Sequence, residues 1–368
     1  MTATSERVVI LAGAGLSVGA KLPTSMELAS KLKSTLQGLS RGDRVGPTAE
    51  KTRQQATTGL ALFNFLDGGI RFQEGVLDRD PDAPINIEQI AVAAEQLIAR
   101  QLNPLAPYIS GWHQRINELL APEPEILKSF LDFIYAQLNS WLTLTNSKDA
   151  YYMARLADLC DVASGVDIFT LNYDLGVETA LTTAKKTFCN GFQDGGTWNP
   201  AQLEKQERIR LLKLHGSLDW VEDEIYGICS LEFPRHENAE NMIGEETRPA
   251  LIFGTANKLS PREPFLTLAY YFSKSVLRSP VLAVIGYSFG DEYVNQIIEQ
   301  GIRRNPKLRV VVVSPNASKS IEKLSFLRGY PRVTHIDEKA EVALNTGSLL
   351  ARIGENLDDI EEEEPFHA

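Results

Sequence analysis

Cysteine is scarce in this chain. Three cysteines stand in 368 residues, at positions 160, 189 and 229, and none forms a Cys-x-x-Cys pair. A disulfide framework therefore has no basis, and a tetrahedral thiolate zinc site has too few ligands. Long apolar runs are also missing. None approaches the ~18 residues of a membrane span. The first apolar run, residues 8–14, carries no secretory cleavage pattern. Basic charge is in deficit: 37 Lys and Arg face 48 Asp and Glu, a formal net charge of −11. The basic residues are dispersed, which excludes the electrostatic footprint of a strong nucleic-acid binder. His, Asp and Glu nowhere show metal-ligand spacing. The expectation is a cytoplasmic protein with no membrane contact, no direct nucleic-acid partner and no required metal.

What the chain does have is a glycine corner near its start. Residues 8–12 are an unbroken apolar run, Val8-Val9-Ile10-Leu11-Ala12, followed by Gly13-Ala14-Gly15-Leu16-Ser17-Val18-Gly19. Such a run suits a strand buried on both faces of a parallel sheet. Glycines after it allow a sharp turn and would leave amide N–H groups uncovered, a natural seat for a pyrophosphate. The pattern differs from a dehydrogenase fingerprint. Pro23 and the capping box Thr24-x-x-Glu27 put the helix start near residue 25, about ten residues after the strand, where the standard unit turns tightly. The ribose-binding acid expected about 20 residues further on has no candidate, because residues 25–37 still read as helix.

After that helix, residues 38–60 read as a polar loop. Residues 85–102 and 125–144 carry apolar residues at helical spacing, with prolines 104, 107, 122 and 124 between them. An all-helical insert is expected at about 45–148. Strand-like runs resume at 166–171, 209–214, 281–285 and 308–314, with helices at 151–160, 264–277 and 293–304 and a small hairpin over 218–231. The stretch 235–248 reads as a polar loop. Residues 356–368 read as an acidic, disordered tail beyond a main domain of 1–355.

Each strand run ends in a polar or glycine-rich corner: Gly13 to Ser17, Asn172-Tyr173-Asp174, His215-Gly216-Ser217, Gly286-Tyr287-Ser288-Phe289-Gly290-Asp291 and Ser314-Pro315-Asn316. In an open parallel sheet, ligands sit outside the carboxyl ends of the strands. Convergence of five such corners points to a nucleotide site.

Taken in order, Gly13-Ala14-Gly15-x-Ser17 with Pro23, Thr170-Leu171-Asn172-Tyr173-Asp174, Lys213-Leu214-His215-Gly216-Ser217 and Gly286-Tyr287-Ser288-Phe289-Gly290-Asp291 resemble the sirtuin (SIR2) superfamily, in its bacterial sirtuin-like branch. The resemblance implies an α/β fold with a Rossmann-like parallel sheet, here with a helical insert and without a zinc ribbon. Two departures from the deacylases stand out. No four-cysteine zinc module can be built, and Pro23 is followed by Thr24-Ser25 instead of Phe-Arg. The branch it resembles hydrolyses NAD+ to ADP-ribose and nicotinamide in bacterial anti-phage defence. That resemblance implies NAD+ as substrate, Asn172 and His215 as catalytic residues, and Gly13, Ala14, Gly15, Ser17, Pro23, Asp174, Gly286, Ser288, Ser314 and Asn316 as nucleotide-binding residues.

Within it, His215 is expected to act through Nε2 as general base, and Asn172 to orient water or ribose through its amide. Asp174 is expected to bind the nicotinamide carboxamide or to cap the following helix, and Asp291 to cap the helix from residue 293. The other histidines (113, 236, 335 and 367) read as structural or surface residues. Control in trans is expected, by homo-oligomerisation or a HerA-type hexameric ATPase. Competing readings are a sirtuin-type deacylase or ADP-ribosyltransferase and a non-catalytic NAD or ADP-ribose sensor.

Overall fold

The computed structural model describes residues 4–42, 46–99, 118, 125–231, 249–253 and 262–363. The chain divides into two compact units, Met1–Leu22 with Leu142–Ala368, and Pro23–Trp141.

The second unit is helical. Its helices are α1 (Ser25–Ser40), α2 (Pro47–Val76), α3 (Ile87–Ile98) and α4 (Ile126–Trp141). Thr24 caps α1 in the expected box: its side chain accepts from the Glu27 N–H, and Glu27 reaches back to the Thr24 N–H. Asn86 and Gln89 cap α3 in the same way. Leu28, Leu32 and Leu36 of α1, Leu62, Phe63 and Leu66 of α2, and Phe130, Leu131, Ile134 and Leu138 of α4 are buried. Most of the stretch expected as a polar loop at 38–60 is helix instead. Pro47 stands at the first helical positions of α2, and the run that follows is rich in Ala, Glu, Lys, Arg and Gln, good helix formers that carry little apolar stripe to read. The prolines at 104, 107, 122 and 124 lie outside the described residues.

The first unit is built on a six-stranded sheet. Its strands are β1 (Thr4–Ala12), β2 (Ala163–Thr170), β3 (Ile209–Lys213), then, after a small second sheet of β4 (Gly216–Asp223), β5 (Gly227–Ser230) and β6 (Pro249–Leu251), β7 (Val281–Ile285), β8 (Arg309–Val313) and β9 (Val333–Ile336). The large sheet is parallel throughout, in the order β3-β2-β1-β7-β8-β9. The chain winds outward from β1 on one side, then crosses back and winds outward on the other. The switch point, where a doubly wound sheet opens its ligand crevice, lies between β1 and β7. The sequence reading ended the sheet at β8; β9 adds an edge strand.

Alternation along β1 explains the layers. Val8, Ile10 and Ala12 belong to one apolar cluster and Val9 and Leu11 to another. The first cluster includes a 3-10 segment (Ser147–Asp161), α5 (Gly176–Thr183), α9 (Ala340–Thr346) and α10 (Ser348–Glu363). The second takes in α6 (Phe265–Val276), α7 (Glu292–Arg304) and α8 (Ala317–Lys323). The small antiparallel sheet, order β5-β4-β6, is seated by aromatic contacts of Trp220 with Phe192 and Phe265. The expected hairpin is therefore present as β4 and β5.

The expected tail is corrected over 356–363. Leu349, Ile353 and Leu357 are buried at i, i+4 and i+8, so α10 continues through the acidic stretch to Glu363. Residues 364–368 and the expected loop at 235–248 lie outside the described residues. No described helix is long and apolar enough to cross a membrane.

Candidate functional site

The corner after β1 meets the corner after β7 backbone to backbone. The Gly13 N–H donates to the Ile285 carbonyl at 2.9 Å, and the Gly15 N–H to the Gly286 carbonyl at 2.8 Å. A Cβ at Gly15 would lie 2.6 Å from the Gly286 Cα, and one at Gly286, where φ is +61°, only 2.4 Å from the Gly15 carbonyl carbon. These glycines let two loops touch. The expectation that their amides stand uncovered is thus corrected: the Gly13 and Gly15 N–H groups are spent on the last residue of β7 and the first residue after it. Among the described residues nothing accepts from the Ala14 N–H. Tyr152 props the corner from below, its hydroxyl donating to the Leu16 carbonyl. Burial, with Glu341 and Asp174 adding to it, pushes that phenol well above its ordinary pKa, so it stays a donor.

Beside this corner runs a directed hydrogen-bond chain. Asn172 Nδ2 donates to the Gly13 carbonyl and to Ser17 Oγ, each at 3.0 Å. Ser17 Oγ donates to Asp174 Oδ2 at 2.8 Å, and the Gly176 N–H donates to Asp174 Oδ1 at 2.9 Å. Ser17 and Asp174 are buried, 3% and 6% exposed. Because the Ser17 proton goes to a carboxylate, Ser17 offers Asn172 only a lone pair. The amide is therefore held in one orientation, with both N–H bonds occupied. Its Oδ1 accepts no hydrogen bond from the described residues, so what Asn172 presents outward is an acceptor. Asp174 holds the first residue of α5 by its backbone N–H, while the cap position itself is Leu175, with no side-chain bond.

His215 follows β3 by two residues, and Gly216 after it adopts φ +90° with Ala250 packed against its Cα. The imidazole is 4% exposed, and its Nε2 lies 3.1 Å from Asp291 Oδ2, also 4% exposed. A carboxylate only accepts, so Nε2 carries the hydrogen in the neutral ring. The expectation that Nε2 meets the substrate is corrected on this ground: the nitrogen with the basic lone pair is Nδ1. Asp291 does cap α7, as expected, its Oδ1 accepting from the Tyr293 and Val294 N–H groups. Its second oxygen, on His215, makes a contact that sequence reasoning missed. Tyr287 fixes it further by exchanging hydrogen bonds with the Asp291 backbone.

Residues 166–332 match the family model described as a SIR2-like domain. Over that stretch the chain is similar to SIR2-like domains. The match takes in Asn172, Asp174, His215 and Asp291 and begins after the glycine corner of β1. Among solved structures, a Sir2 homolog in complex with NAD is 15% identical, with 98% of this chain and 91% of that chain covered and a TM-score of 0.41. Sir2Tm bound to a propionylated peptide is 11% identical, with 95% and 94% covered and a TM-score of 0.41. No curated protein matches.

The remaining candidates stand at the same carboxyl edge of the sheet. Ser288 is exposed in the corner after β7. Ser314 follows β8, and its Oγ accepts from the Asn316 N–H at 3.4 Å. Asn316 stands at the cap of α8 without bonding that helix through its side chain. The structure brings together Gly13, Gly15, Ser17, Asn172, Asp174 and Gly286, and separately His215 with Asp291. Pro23 opens the helical unit. His335 is on β9, and histidines 113, 236 and 367 lie outside the described residues. Burial raises the pKa of all three cysteine thiols, which leaves them protonated and poorly nucleophilic. Among the described residues no group of three His, Cys, Asp or Glu is placed to hold a metal ion.

Proposed function

We propose that this protein is an NAD+ glycohydrolase that converts NAD+ and water to ADP-ribose, nicotinamide and a proton. The observation that carries the reading is the Asn172–Ser17–Asp174 chain at the carboxyl end of β2, where the sequence is similar to SIR2-like domains, beside the β1–β7 switch point. It presents one fixed acceptor.

Water adds its oxygen to C1′ of the nicotinamide ribose as the C1′–N bond breaks. The electron pair of that bond goes to the nicotinamide ring, which leaves neutral. Asn172 Oδ1 accepts from the attacking water or from a ribose hydroxyl and fixes its direction. His215 takes the water proton at Nδ1, while Asp291 holds Nε2–H and stabilises the cation that forms. Asp174 keeps lone pairs for the carboxamide N–H of nicotinamide. The Ala14 N–H, Ser288, Ser314 and Asn316 serve the phosphates and the adenosine ribose. Such an activity drains the host's own NAD+, so it fits a defence effector held in check in trans, by self-assembly or by a partner such as a HerA-type hexameric ATPase.

Turnover in 18O-labelled water tests the reading. Hydrolysis places one label at C1′ of ADP-ribose for each nicotinamide released. Nicotinamide release that requires an acyl-lysine peptide, with the ADP-ribosyl group on an acetyl or protein acceptor, would instead establish a transferase.

A further inference from the structure

We infer that Lys213 is a positioning residue, whose ammonium group locks the loop of Asn172 and Asp174 to the strand end that carries His215. The inference rests on the reading of this site as an NAD+ hydrolase.

Lys213 is the last residue of β3 and is 3% exposed. Its Nζ donates to the Tyr173 carbonyl at 3.2 Å, to the Asp174 carbonyl at 2.5 Å and to Glu178 Oε1 at 2.9 Å. An ammonium group has three N–H bonds, and here all three are used. Burial, with the charge of Asp219 adding to it, pushes the Glu178 carboxyl up, and the charge of Lys213 is the largest influence pulling it back. A lysine that served only to neutralise Glu178 would need one of those bonds. Lys213 directs the other two at the peptide groups immediately after Asn172.

The connection to the proposed chemistry is short. Asp174, held by its backbone carbonyl, holds Ser17 by its carboxylate, and Ser17 holds Asn172. Two backbone bonds run in parallel between the same segments, from the Leu214 N–H to the Thr170 carbonyl and from the Leu218 N–H to the Tyr173 carbonyl. They join the segments before and after Asn172, and Lys213 adds a second bond to the Tyr173 carbonyl and the one bond to the Asp174 carbonyl beyond it. Removing the ammonium group releases the Asp174 carbonyl. A displacement of about 1 Å at a reacting group costs on the order of 100-fold in rate.

The test uses the full chain with Lys213→Met and Glu178→Met together, so that no carboxylate is left buried alone, and Lys213→Gln with Glu178→Gln as a second, polar pair. Two readouts are taken on whichever pair folds with a wild-type melting profile: NAD+ turnover, and backbone amide exchange over residues 170–178. The expected result is a kcat lower by about 100-fold, a KM for NAD+ within a few-fold of wild type, and amide exchange in that segment about tenfold faster, as a loosened loop opens more often. A folded pair with wild-type exchange and wild-type kcat overturns the inference. Amide exchange needs no turnover. If the wild type itself fails to cleave NAD+, the hydrolase reading falls, and unchanged exchange then overturns the role of Lys213 on its own.

Discussion

Asp291 serves two elements at once: one carboxylate oxygen caps α7 and the other holds the ring of His215. The two duties can be separated by substitution, because Asn is as good an N-cap as Asp. Asp291→Asn should leave the melting temperature within a degree or two, since a cap is worth only about 1 kcal/mol. It should lower NAD+ turnover by about 10²- to 10⁴-fold, the range for loss of a general base. The neutral amide stabilises no imidazolium and no longer fixes the ring tautomer. Thermal melts and steady-state kinetics on one preparation check this, and wild-type kcat in the folded variant would remove Asp291 from the mechanism. At this scale the sequence disclosed part of the site. Asn172 and Asp174 stand in one short motif, and Ser17 belongs to the glycine corner. The pairing of His215 with Asp291 joins positions 76 apart, and nothing in either local pattern announces it. The direction of the Asn172 amide is likewise a product of three side chains meeting, which no single motif contains.

Among the elements, the corner between β1 and its first 3-10 turn depends most on close backbone approach. Gly15→Ala would put a methyl group 2.6 Å from the Gly286 Cα, with no flexible side chain to yield. The loops after β1 and β7 must then part, at a cost of about 1–3 kcal/mol for overpacking. Denaturant unfolding should show that loss, together with weaker NAD+ binding. An unchanged midpoint would mean that the two corners do not touch in solution. Strands were legible because buried parallel strands read as unbroken Val, Ile and Leu runs, and their ends were found within a residue or two at β3, β7 and β8. Helices with weak stripes were not. α2 begins with eleven mostly polar residues after Pro47, and only Ala56 of that first stretch is buried. In α10 the acidic charge drew the eye from Leu349, Ile353 and Leu357, which bind it to the core.

For the whole molecule, the order β3-β2-β1-β7-β8-β9 sets where chemistry can occur, since it brings the ends of β1 and β2 and the corner after β7 to one edge. The parallel α/β class followed from strands alternating with helices and from the polar corners at strand ends. The sheet order itself did not, because it depends on which neighbours each buried strand chooses. The glycine corner was read as a phosphate seat, yet its first use here is to pack the switch point shut at the backbone. The central claim is that the Asn172 chain and the His215–Asp291 pair together cleave NAD+. It is tested most directly by chromatographic measurement of nicotinamide and ADP-ribose released from NAD+ by the wild type, Asn172→Ala and His215→Ala, each shown to be folded. The account predicts equimolar release by the wild type and a fall of at least about 100-fold in both variants. Equal release by all three proteins would contradict it.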